Sequence, residues 1–138
     1  CIMNEFEAER VTHKEIRRGE NLDRSALKEA MQLLLSAGVR ERVVVHFPEG
    51  ACALGLDGVM HQHGSVKLPA DYIKGAAGAG DAFTAGVLRG WHESQSIDEA
   101  LRTGVCAAAA NLSDETCTGG MRTVAECLAL GDRYGFRE

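Results

Sequence analysis

No window of this sequence approaches eighteen consecutive apolar residues, so it offers no candidate for a helix that spans a membrane. It also lacks internal repeats, low-complexity tracts, a dividing linker, and a basic segment leading into an apolar core near its first residues. Positive charge is in deficit: 15 Lys and Arg stand against 20 Asp and Glu, for a formal charge of -5. Aromatic residues make up only 5% and are not interleaved with basic ones, which argues against a nucleic-acid surface. The five cysteines (Cys1, Cys52, Cys106, Cys117, Cys127) are odd in number and form no CxxC pair. That sets aside a disulfide framework and favours reduced thiols. These absences lead us to expect a soluble, cytoplasmic protein with no nucleic acid and no membrane among its partners. The 138 residues that are present can bury roughly two thirds of their unfolded surface, so residues 1–138 are read as a single domain.

Periodicity orders the chain. Helix formers over 5–12 suggest a short helix after the apolar start Cys1-Ile2-Met3, and Gly19-Glu20-Asn21 marks a turn. Asp23 is placed to cap a helix over about 24–37, with Leu27, Met31, Leu34 and Leu35 on one face and Gly38 at its end. Arg42-Val43-Val44-Val45-His46-Phe47 is a β-branched run of the kind that forms a buried strand. Strands over 51–56 and 59–63 follow, joined at Asp57-Gly58 as a hairpin, and Val66–Pro69 reads as an edge segment. A helix over 79–93 comes next, and then one opened by the Ser96 and Glu99 capping box and running through Ala107–Ala110. The last helix covers 123–134, with Val124, Leu128 and Leu130 on its apolar side. This alternation implies a three-layer α/β sandwich of Rossmann type, with a mostly parallel sheet and a β-hairpin.

The most distinctive stretch is Gly75-Ala76-Ala77-Gly78-Ala79-Gly80-Asp81. Small residues let a backbone turn sharply, and a helix opening at such a turn offers unpaired N–H groups to an anion. From spacing alone, a flexible turn closed by a first-turn acid is slightly favoured. The pattern is GxxGxG rather than GxGxxG, which makes a dinucleotide fold a poor second. Elsewhere, His61 and His63 share a strand face without a third ligand, and His13, His46 and His92 stand alone. Cys106 and Cys117 have no basic group tied to them by spacing and are read as buried packing thiols.

Three stretches together resemble the PfkB, or ribokinase-like, carbohydrate kinases. Gly78-Ala79-Gly80-Asp81 is similar to that family's GAGD signature, Asn4-Glu5-Phe6-Glu7 to its NxxE pattern, and the Ala-rich helix with Thr118-Gly119-Gly120 to the segments that bracket adenine. The order fits the C-terminal part of such a kinase, without the N-terminal half that carries most sugar contacts. The chain departs from the family at Lys74-Gly75-Ala76-Ala77, where an Asp and two Thr are common, and at Cys106, where Asn is frequent.

The resemblance implies ATP-dependent phosphoryl transfer to a sugar hydroxyl, with ATP and Mg2+ as cofactors. Asp81 would be the catalytic base, and Gly78, Ala79 and Gly80 the anion hole. His46, Cys106, Asn111, Thr118 and Gly119 would lie on the nucleotide side. Asn4 and Glu7, one helical turn apart, would help hold magnesium through water and phosphate. The same two residues also satisfy a helix cap by themselves. As a fragment the chain is expected to be inactive alone and to self-associate, as a homo-oligomer, through apolar surface around Ile2 and Met3. The alternative is a module that senses nucleotide, or mediates an interaction, and transfers nothing.

Overall fold

A computed structural model describes all residues from Cys1 to Glu138. Their contacts group into two compact units. The first comprises 1–47 and 52–61, the second 48–51 and 62–138.

The first unit opens with β1 (Ile2–Asn4) and α1 (Glu5–Thr12), followed by a hairpin of two-residue strands, β2 (Arg17–Arg18) and β3 (Asn21–Leu22). Next come α2 (Arg24–Ser36) and β4 (Arg42–Phe47). β1 lies parallel to β4, with Asn4 opposite His46. α2 is amphipathic as its spacing implies. Asp23 accepts from the N–H groups of Ser25 and Ala26, and Leu27, Ala30, Met31 and Leu34 are buried. These side chains pack with Val43, Val45 and Phe47 of β4, alternate residues on one face of the strand. α1 buries the face opposite to its large apolar residues: Glu5 and Ala8 are inside, while Phe6 and Val11 are exposed. Glu5 tolerates this because Arg17 Nε lies 3.2 Å from its Oε1. The Gly19 turn does form, but the strands flanking it are too short to leave a periodic signal.

β5 (Gly50–Gly55) and β6 (Met60–Gly64) run through both units, and the sheet order is β1-β4-β5-β6. Only two residues connect β4 to β5 and four connect β5 to β6, lengths that suit antiparallel neighbours. The sheet is therefore mixed; the parallel pairing expected for most of it is found at β1–β4.

The second unit contains α3 (Ala79–His92), α4 (Ile97–Asn111) and α5 (Val124–Tyr134). α3 packs chiefly on α4, and α4 on α5. Val66, expected on an edge, makes a single antiparallel bridge to Phe136. Helix α4 is inward-facing on most sides, as an Ala-rich segment permits: Ala100, Leu101, Val105, Cys106, Ala109 and Ala110 are all buried. No helix is long and apolar enough to cross a membrane.

Candidate active site

In the second unit the glycine run enters α3 through Gly78, the N-cap residue, at φ 77° and ψ -2°. A side chain at that φ is strained, and a Cβ there would also lie 2.2 Å from the carbonyl oxygen of Cys117. Glycine at 78 is thus demanded twice, by the turn and by a backbone packed against it. The first intrahelical bond of α3 runs from the N–H of Ala82 to the Gly78 carbonyl. Of the three N–H groups before it, that of Ala79 makes a 3.3 Å turn bond to Ala76. Those of Gly80 and Asp81 donate to no protein acceptor, which leaves two adjacent donors and the positive end of a 14-residue helix for an anion.

Asp81 occupies the third position of α3. Three other helices carry an acid at that position, and in each it closes a capping box: Glu7 accepts from the N–H of Asn4, Glu99 from that of Ser96, and Glu126 from that of Thr123. Asp81 closes no box: its cap, Gly78, is left-handed and brings no side chain to the N–H groups of the first turn. Its carboxylate is exposed and takes part in no hydrogen bond or ion pair.

The loop 112–120 lies behind the turn. Lys74 N–H donates to the Leu112 carbonyl at 2.8 Å, and a Cβ on Gly75 would come within 2.9 Å of the Glu115 Cα. Asp114 accepts from the N–H and hydroxyl of Thr116, hydrogen bonds that hold its carboxyl below the usual carboxylate range. Thr116 Oγ1 in turn accepts from the N–H of Gly119. Thr118 and Gly119 are exposed on this braced loop. Cys117 is exposed as well, which corrects its reading as a buried thiol: it belongs to the loop rather than to the apolar helix before it.

Cys106 and Asn111 are fully buried. Burial pushes the Cys106 thiol up to about 11, so it is a packing group and not a thiolate. Asn111 Nδ2 donates to the carbonyl of Ala77 at 2.8 Å. Sequence reasoning placed Asn111 on the nucleotide side and missed this bond. The available signal was an amide near the end of an otherwise apolar helix, which has to find a partner.

In the first unit, Asn4 and His46 sit side by side at the C-terminal ends of parallel strands, where α/β sheets commonly bind ligands. Asn4 Oδ1 accepts from the Glu7 N–H, and Glu7 Oε2 accepts from the Asn4 N–H, both at 2.8 Å. The capping reading of this pair is therefore realised, and Glu7 remains exposed with Oε1 outside the cap. No group of three or more His, Cys, Asp or Glu side chains converges as a metal site. One or two oxygens per chain still suit magnesium, which keeps much of its water and leans on phosphate.

A glycine turn that feeds a helix with two free N–H groups and an unengaged first-turn acid belongs to an α/β chain. Residues 1–124 match the pfkB family carbohydrate kinases, and the chain belongs to that family. No curated protein matches it. Among solved structures, Escherichia coli phosphofructokinase-2 in complex with potassium is similar, with a TM-score of 0.76 and 19% identity over 96% of this chain and 40% of that one. A Thermotoga maritima ribokinase has a TM-score of 0.76 at 19% identity, over 95% of this chain and 41% of that one. An Arabidopsis thaliana ribokinase complexed with ribose and ATP has a TM-score of 0.74 at 25% identity, over 94% and 39%. The fold is ribokinase-like α/β, and the chain spans about 40% of the length of these structures.

Proposed function

We propose that this chain carries the ATP-binding and catalytic-base part of a cytoplasmic carbohydrate kinase that phosphorylates a sugar hydroxyl. The carrying observation is the free Asp81 carboxylate beside the unpartnered N–H groups of Gly80 and Asp81. Asp81 accepts the proton of the attacking hydroxyl. The new O–P bond forms as the bond from the γ-phosphorus to the bridging oxygen breaks, and ADP leaves. The turn Gly78-Ala79-Gly80 presents the free N–H groups of Gly80 and Asp81 to the charge on the transferring group, with no side chain at 78 or 80 in its way. His46, Thr118 and Gly119 are assigned to the nucleotide side, with Cys106 and Asn111 supporting it from the core. Asn4 and Glu7, through Oε1 and water, are the residues that would hold magnesium, which when bound neutralises phosphate charge. Most sugar contacts are assigned to the rest of a longer parent protein.

The deciding experiment is Asp81→Asn in the intact protein, assayed with ATP and magnesium over a panel of sugars. Phosphorylation is expected to fall by about three orders of magnitude or more while nucleotide affinity stays near wild type. Turnover at the wild-type rate removes Asp81 from the chemistry. Nucleotide binding by a wild-type protein that phosphorylates no sugar favours a sensing module instead.

A further inference from the structure

We infer that Asn111 is a positioning residue for the anion-binding turn, one that fixes the aim of the Gly80 and Asp81 N–H groups without touching the ligand. This rests on the kinase reading above. The side chain comes from the last residue of α4 and is 0% exposed. Its Nδ2 reaches 34 residues back along the chain to the Ala77 carbonyl. Ala77 directly precedes Gly78, so this bond restrains the peptide that leads into the left-handed residue.

The chemistry fixes which end of the amide points at Ala77. A carbonyl can face only a donor, so Nδ2 faces the turn, and Oδ1 is left buried with no hydrogen bond from any protein group. A buried acceptor without a protein donor is unfavourable. A leucine of similar size would avoid it and suit the Ala-rich interior of α4 better. The amide therefore stands where packing alone would favour an apolar residue, and the one bond that its polarity makes is to the turn.

Other bracing of the turn is backbone against backbone. Lys74 N–H bonds Leu112, Gly75 lies against Glu115, and Gly78 lies against Cys117. Asn111 makes the single side-chain hydrogen bond from α4 to the segment 75–78. Its loss should free the Ala77 peptide to rotate while the flanking contacts hold the chain in place, which misaims the donors without unfolding them.

The test uses Asn111→Leu, with Asn111→Ser as a milder replacement and Thr103→Val as a control. Thr103 is likewise buried on α4, and its hydroxyl donates to the Glu99 carbonyl at 2.9 Å and lies 3.4 Å from Gln95 Oε1, with no bond to the turn. All are made in the intact protein and checked for wild-type circular dichroism. Amide hydrogen exchange at Ala79 and Ala82, whose N–H groups bond to the Ala76 and Gly78 carbonyls, is expected to quicken about tenfold in both Asn111 variants, with α3 beyond Ala82 unchanged, and not to quicken in Thr103→Val. ATP affinity and kcat should each fall about tenfold or more while adenosine affinity is kept, because adenosine brings no phosphate to the turn. Unchanged exchange at Ala79 and Ala82 overturns the positioning role whatever the activity. Equal losses for ATP and adenosine overturn it as well, since they mark general damage to the fold. Quickened exchange in the variants of a protein that binds no nucleotide would leave Asn111 as the anchor of the turn and refute the kinase reading alone.

Discussion

At the scale of single residues, Gly78 carries the strictest requirement. Two glycines with positive φ separate its two constraints. Gly19 has φ 61° and nothing within 4 Å of an added Cβ, whereas Gly78 has φ 77° and the Cys117 carbonyl 2.2 Å away. A left-handed residue other than glycine costs about 1–2 kcal/mol, which is the whole penalty expected for Gly19→Ala. Gly78→Ala adds a collision that only movement of the loop 112–120 can relieve, so its loss should exceed that of Gly19→Ala by about 1–3 kcal/mol. Nucleotide affinity should fall with it. Denaturant midpoints for the two variants, together with ATP titration, measure both effects; equal losses of stability would show that the loop yields freely. Asp81 could be singled out from its place after GAG, but its freedom could not. That freedom goes with a left-handed glycine cap, while Glu7, Glu99 and Glu126 each accept from the backbone N–H of the cap residue three positions back.

At the scale of elements, the packing of α3 on α4 rests on small residues that meet. A Cβ on Gly86 would lie 2.8 Å from the Gly104 Cα, and one on Gly104 would lie 2.7 Å from Val87 Cγ2. Gly104→Ala should destabilise the second unit by about 1–3 kcal/mol, and Gly104→Leu by more, read from urea midpoints at constant m-value. The capping box of α5 makes a separate prediction with pH. Bonds from Thr123 hold the Glu126 carboxyl below its ordinary 4.5. A carboxyl whose folded pKa is depressed stabilises the folded state above its unfolded pKa and loses that contribution as pH falls through the folded value. Amide exchange in the first turn of α5 should therefore be faster in Glu126→Ala than in wild type near neutral pH, and the two should converge in acid. A constant difference across the titration would refute the box as the cause. Sequence patterns located these elements well wherever a cap and an apolar stripe coincide, as at Asp23 with Leu27, Met31 and Leu34, or at Ser96 with Glu99. They gave no sign of β2 and β3, two residues each, or of the buried Glu5 on α1, which Arg17, twelve residues on, stabilises inside.

For the whole molecule, a formal charge of -5 opposes an anionic nucleotide, so the proposed binding would have to draw on local donors and on magnesium rather than on the overall field. The glycine turn and its acid were legible in the sequence because they are contiguous. The braces that shape them were not, because Asn111, Leu112, Glu115 and Cys117 lie more than thirty residues further along and act largely through backbone atoms that carry no residue signature. This contrast sets what the chain alone should do. It contains the turn and its braces, yet spans about 40% of the length of its structural relatives. The isolated 138 residues are thus expected to bind nucleotide and to transfer no phosphoryl group. A ligand present at 100 times its dissociation constant stabilises the folded state by about 2.7 kcal/mol, which is a readable rise in melting temperature. ATP with magnesium should produce that rise, ATP with a chelator a smaller one, and adenosine the smallest. Added salt should weaken the first two more than the third, since exposed phosphate contacts are screened. No rise at millimolar ATP and magnesium would contradict a preformed cradle, and phosphorylation of a sugar by the chain alone would show that the base and the acceptor site both lie within it.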